Sequence, residues 1–110
     1  HVASLFPGAP TLASALDPAN TDAAIAIVPD PMPAAGPHAR VSLTLARLLK
    51  SRRLLLAITG DDKRAVIERA MASVRPELVE GRRMHTDHVD LPVAALLKAA
   101  HPAAEIHWSP

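Results

Sequence analysis

LLLAITGDDKRAVIERAMASV, residues 54 to 74, decides the fold. Its first seven residues form a continuous apolar run closed by Thr59 and Gly60, the pattern of a strand buried on both faces. Asp61 and Asp62 then stand where a helix begins, and Ala65, Val66, Ala70 and Val74 follow at helical spacing. The segment therefore reads as strand, tight turn, helix. Upstream, RVSLTLARLLKSRR (residues 40 to 53) alternates at Val41, Leu43 and Leu45, then shifts to helical spacing through Leu48 and Leu49. A strand running into a helix with a basic last turn is expected. AAIAIV, residues 23 to 28, reads as a short buried strand. The Pro- and Gly-rich stretches 7 to 22 and 29 to 37 on either side of it read as loops. Downstream, LPVAALLKAAH predicts a helix with Pro92 in its first turn, and AEIHWS a last short strand. Strands alternating with helices imply an α/β architecture with a mostly parallel, Rossmann-like sheet and flanking helices.

Composition narrows the function classes. In 110 residues, 12 basic and 11 acidic side chains leave a net charge of +1, with no strong electrostatic footprint for nucleic acid. Phe6 and Trp108 are the only aromatics, so a stacking platform for single strands is also missing. The chain has no cysteine, which removes disulfides, thiolate metal sites and cysteine nucleophiles and fits a cytoplasmic protein. No apolar run reaches membrane-spanning length. Alanine supplies 22 of the hydrophobic residues, so the core is thin. With His1 in place of an initiating Met, the chain is expected to be part of a longer domain whose N-terminal half completes it.

The chemistry-bearing string is HVASLFPG, residues 1 to 8. A histidine at a loop-to-helix transition, as expected here, has the proton affinity for general acid-base work near neutral pH. On spacing alone an exposed terminal histidine is the commoner reading. Lys63, three residues after Gly60 at a helix start, can meet an anion together with backbone N–H groups. Judged locally, it is a solvated lysine flanked by Asp61, Asp62 and Arg64. Arg40 offers a guanidinium for bidentate phosphate contact or for a surface ion pair. Ser4 offers a hydroxyl or N–H to the same site, or a helix cap. His85 and His88 with Asp87 or Asp90 have no second ligand pair, so no metal site is expected. His38, His101 and His107 are scattered through the rest of the chain. Residues 75 to 90 lack either period and read as an exposed excursion, either a long surface loop or an inserted peptide.

HVASLFPG resembles the second half of the 6-phosphogluconolactonase motif, in which Gly-Asp-Gly-His leads into Ala-Ser-Leu-Phe-Pro-Gly, with Val2 here where Thr is frequent. RVSLTLARLL, LLLAITGDDKR, LPVAALL and EIHWSP continue the resemblance in order along most of the chain, the second being similar to the family's Gly-x-x-Lys turn. The resemblance implies hydrolysis of 6-phospho-glucono-1,5-lactone without metal or organic cofactor. It implies His1 as the base that activates water and Lys63 as a phosphate ligand; Arg40 and Ser4 stand beside them as candidate phosphate contacts on their side-chain chemistry alone. The related glucosamine-6-phosphate deaminases share the Gly-x-x-Lys turn but follow the histidine with a different sequence. An inactive sugar-phosphate-binding fragment is the remaining alternative.

Overall fold

A computed structural model describes residues 1–74 and 91–110, and the reading of 75 to 90 as an excursion lies outside the described residues. The chain divides into two compact units, His1–Ser51 and Arg52–Pro110. Both mix helices and strands, as the α/β reading expects.

The first unit contains α1 (Leu12–Ala15), β1 (Ala24–Ile27), β2 (Arg40–Leu43) and α2 (Leu45–Leu48). The short α1 falls within a stretch that the prolines marked as loop. It is held from its start, where Thr11 Oγ1 donates to the Ala26 carbonyl at 2.7 Å. Strands β1 and β2 are antiparallel, pairing Ala24 with Leu43 and Ile27 with Arg40. Their two faces differ. Ile27 is fully buried and joins Leu5, Ala9 and Ala15 in a core on which Val2, Phe6, Leu12, Leu16, Ile25 and Leu48 pack. Each fully buried Leu or Ile of this kind contributes about 1.5–3 kcal/mol. Ala24, Ala26, Val41 and Leu43 form the outward row, and Val41 is 70% exposed.

The alternation in RVSLTL thus identifies a strand whose apolar row faces outward while Ser42 and Thr44 are buried. Hydrogen bonding accounts for that choice. Thr44 Oγ1 donates to the Asp22 carbonyl at 2.6 Å and accepts from the Arg47 N–H at 3.2 Å, capping α2. Ser42 Oγ donates to the Leu43 carbonyl and accepts from the Ser4 N–H. A buried hydroxyl satisfied in this way carries little penalty.

The second unit contains β3 (Leu55–Thr59), α3 (Asp61–Val74), α4 (Pro92–Ala99) and β4 (Glu105–Ser109). Strands β3 and β4 are parallel, from the Leu55–Glu105 pair to the Thr59–Ser109 pair. Ile67 and Ala70 of α3 are buried, as are Pro92, Val93 and Leu96 of α4, and the two helices pack together. Pro92 opens α4 where a missing N–H breaks no helical bond. The apolar run of β3 predicts cover on both faces, but burial alternates and Leu55 is 58% exposed. Within this unit only one row of the strand is covered. No helix among the described residues is long and apolar enough to cross a membrane.

Candidate functional site

The segment that carries His1 is a tight turn. Val2 and Leu5 form an antiparallel bridge closed by the Leu5 N–H on the Val2 carbonyl at 2.9 Å. Ala3, between them, has φ 51°, a left-handed conformation that costs a residue with a Cβ about 1–2 kcal/mol. Two contacts hold the turn in that conformation. The Leu5 side chain is fully buried in the core, and the Ser4 N–H donates to Ser42 Oγ at 3.1 Å. Ser4 therefore lies in this turn, away from any helix start, with its backbone donor committed to β2.

The His1 imidazole stacks on the Phe6 ring, with centroids 4.1 Å apart and planes 12° from parallel. The guanidinium carbon of Arg40 lies 4.7 Å from the centre of the same ring. The imidazole and the guanidinium are thus no farther apart than the sum of those two distances. Arg40 is fixed in turn, since its Nε donates to the His38 carbonyl at 3.2 Å and its Nη2 to the Gly36 carbonyl. Aromatic pairs of this geometry contribute about 0.5–1.5 kcal/mol beyond burial. The first unit therefore brings His1, Ser4 and Arg40 together around Phe6 and β2.

Phe6 and Ser42 are the two members that sequence reasoning missed. Phe6 had a signal, as the single phenylalanine of the chain placed five residues after the candidate base. Ser42 had one too, a hydroxyl interrupting an apolar alternation.

Lys63 belongs to the second unit. The turn before it depends on Gly60, whose φ of +88° favours glycine. The Gly60 N–H donates to the Ser109 carbonyl at 3.0 Å, and its own carbonyl accepts from Trp108 Nε1 at 2.9 Å. Strand end, turn and helix start are thereby tied together. Arg64 lies over the Trp108 ring at 4.8 Å and pairs with Glu68 at 3.0 Å. Lys63 is exposed in the first turn of α3, and its ammonium has no hydrogen-bond or ion-pair partner among the described residues. Helix dipole and ammonium both favour an anion here, while Asp61 and Asp62 oppose one.

At the far end of β4, Arg53 binds Glu105 bidentately at 2.8 and 2.9 Å. The hydrogen bond from Arg53 holds the Glu105 carboxyl below its ordinary range and raises the guanidinium above its own. His107 approaches the same carboxylate at 3.9 Å. His38, His101 and His107 are all exposed, and His85 and His88 lie outside the described residues. No group of three or more metal-ligating side chains occurs among the described residues.

Comparison with known proteins covers almost the whole chain. Residues 1–108 match the family described as glucosamine-6-phosphate isomerases/6-phosphogluconolactonase. Among similar proteins, the 6-phosphogluconolactonase of Caulobacter vibrioides is 36% identical over 110 residues, covering 99% of this chain and 39% of the relative. That of Pseudomonas aeruginosa is 38% identical over 111 residues, covering all of this chain and 38% of the relative. A crystal structure from Neisseria gonorrhoeae, assigned as a 6-phosphogluconolactonase, superposes with a TM-score of 0.62 at 26% identity, covering 98% of this chain and 38% of that one. The chain therefore spans about two fifths of the length of these relatives. The family motif, the order of elements and the matched residues agree, and the chain belongs to the glucosamine-6-phosphate isomerase/6-phosphogluconolactonase family.

Proposed function

We propose that the protein to which this chain contributes hydrolyses 6-phospho-glucono-1,5-lactone to 6-phosphogluconate, in the oxidative pentose phosphate pathway. The observation that carries the reading is the histidine of HVASLFPG held against Phe6 beside Arg40, in a chain whose similar proteins bear the lactonase name. His1 takes a proton from water as the oxygen attacks the lactone carbonyl. The tetrahedral intermediate collapses by breaking the bond to the ring oxygen, which receives that proton from His1. The products are a carboxylate and a hydroxyl on one open chain, and the acid proton is released to solvent. A positioned base of this kind supplies about 100- to 10,000-fold in rate.

Stacking engages the face of an imidazole, whereas proton transfer uses nitrogens in its plane. The Phe6 contact and base catalysis are therefore compatible. Lys63 binds the substrate phosphate, helped by the start of α3, and Arg40 and the Ser4 hydroxyl provide further substrate contacts. The reaction uses no metal and no organic cofactor in this reading. The remainder of the longer protein covers the outward apolar row of β1 and β2 and completes a Rossmann-like sheet. The protein works in the cytoplasm, where sugar phosphates are found.

The test uses the whole protein and freshly prepared lactone, following acid release above the spontaneous rate. Rapid hydrolysis that is largely lost in His1→Ala is expected. Ammonia release from glucosamine 6-phosphate, without acceleration of lactone hydrolysis, would replace this reading with the deaminase one.

A further inference from the structure

Phe6 is the only phenylalanine in a chain with 2% aromatic residues, and it carries the one candidate base. Its ring is half-buried and packs against the core of Leu5, Ala9, Ala15 and Ile27, which anchors the platform. It also bears the Arg40 guanidinium, which two backbone carbonyls of the 36–38 loop hold in turn. An imidazole is oriented by two side-chain torsions, and each misaligned rotamer places its nitrogens away from the attacking water. A flat neighbour at 4.1 Å and 12° removes that freedom without using the ring nitrogens.

Building on the lactonase reading, we propose that Phe6 is a positioning residue, whose ring sets the orientation of the His1 imidazole within a stack shared with Arg40. Arg40, a substrate contact in that reading, keeps its bonds to the His38 and Gly36 carbonyls without the ring, and Lys63 carries the phosphate, so loss of the ring acts on the orientation of His1 more than on substrate affinity. Leucine at position 6 keeps the apolar contact with the core but offers no flat face. Tyrosine keeps the face.

The experiment uses the whole protein and its Phe6→Leu and Phe6→Tyr variants, with kinetics and proton NMR of the His1 ring. In Phe6→Leu, kcat falls about 10- to 100-fold with KM little changed, as expected for a base displaced by a fraction of an ångström to about an ångström. Phe6→Tyr restores kcat. The His1 Cε1–H resonance, shifted by the ring current of Phe6, moves in Phe6→Leu and stays in Phe6→Tyr. Unaltered kcat in Phe6→Leu overturns the proposal, as does a His1 resonance that does not move. Should the leucine variant fail to fold, the unsubstituted protein still decides. A nuclear Overhauser contact between the His1 and Phe6 rings is expected, and its absence overturns the stack. Because the NMR measurements need no turnover, they test the stack even if lactone hydrolysis fails, and that failure alone removes the function reading.

Discussion

In the His1–Ser51 unit the candidate base stacks on a core-packed ring, and the turn that follows it is strained at Ala3 and tied to a serine of the neighbouring strand through the Ser4 N–H. In the Arg52–Pro110 unit the candidate phosphate ligand stands exposed on a helix start whose backbone is rigid but whose ammonium touches nothing described. The difference matches what the proposed roles require of each group. A base works only within a narrow range of geometry, so its surroundings spend stability on orientation. A lysine meets phosphate as a point charge on a long stem, and it needs a fixed root more than a fixed tip.

The two glycines that shape these regions offer the strongest way to break the comparison. Gly8 has φ +82°, and a Cβ there would lie 2.0 Å from the Asp30 carbonyl oxygen, a backbone atom. Gly8→Ala is expected to cost about 2–5 kcal/mol, from the left-handed conformation and the forced shift together, as read by chemical denaturation of the whole protein. Gly60 has φ +88°, but its Cβ would meet only the Asp62 carboxylate, at 2.8 Å, and that side chain can rotate away. Gly60→Ala is expected to cost about 1–2 kcal/mol. Equal losses would show that the first turn is no more tightly held than the second.

Smaller changes sharpen the contrast. Ser42→Ala removes the acceptor of the Ser4 N–H and should cost about 0.5–1.5 kcal/mol. It should also lower kcat, because the turn carrying His1 loses its tie to β2. A stability loss with kcat unchanged would detach Ser42 from the site. Glu105→Gln should have the smallest effect, since both partners of the Arg53 pair are largely exposed. Its sign is fixed by the depressed carboxyl. The pair stabilises the folded state above the ordinary carboxylate pKa, and that contribution disappears as pH falls through the lower folded value. The variant should be slightly less stable than the parent in neutral buffer and converge with it on acidification, as followed by thermal melting.

The second unit was the more legible in the sequence. An apolar run, a glycine and two acidic residues dictate strand, turn and helix through local rules, and β3 and α3 appear where those rules place them. Pro92 and the AEIHWS run likewise mark α4 and β4. The first unit was harder to read because its decisive contacts are long-range. Period-two alternation at Val41 and Leu43 marks a strand but does not say which row faces inward. That is settled by the hydroxyls of Ser42 and Thr44 meeting partners 38 and 22 residues away. The α1 turn is hidden for a similar reason, since it is tied to β1 through Thr11 while prolines surround it. Of the candidate site, a motif and a turn mark His1 and Lys63 in the sequence, whereas the contacts of Phe6 with His1 and of Ser42 with the Ser4 N–H are ones that spacing does not reveal.

The division of labour between the two regions is tested most directly by steady-state kinetics of His1→Ala and Lys63→Ala in the whole protein, on the 6-phosphorylated lactone and its unphosphorylated counterpart. The account predicts that His1→Ala lowers kcat on both lactones. It predicts that Lys63→Ala raises KM about 10- to 100-fold on the phosphorylated lactone alone, the loss of one charge-assisted contact. Loss of kcat on both lactones in Lys63→Ala, or an unchanged kcat in His1→Ala, would contradict it.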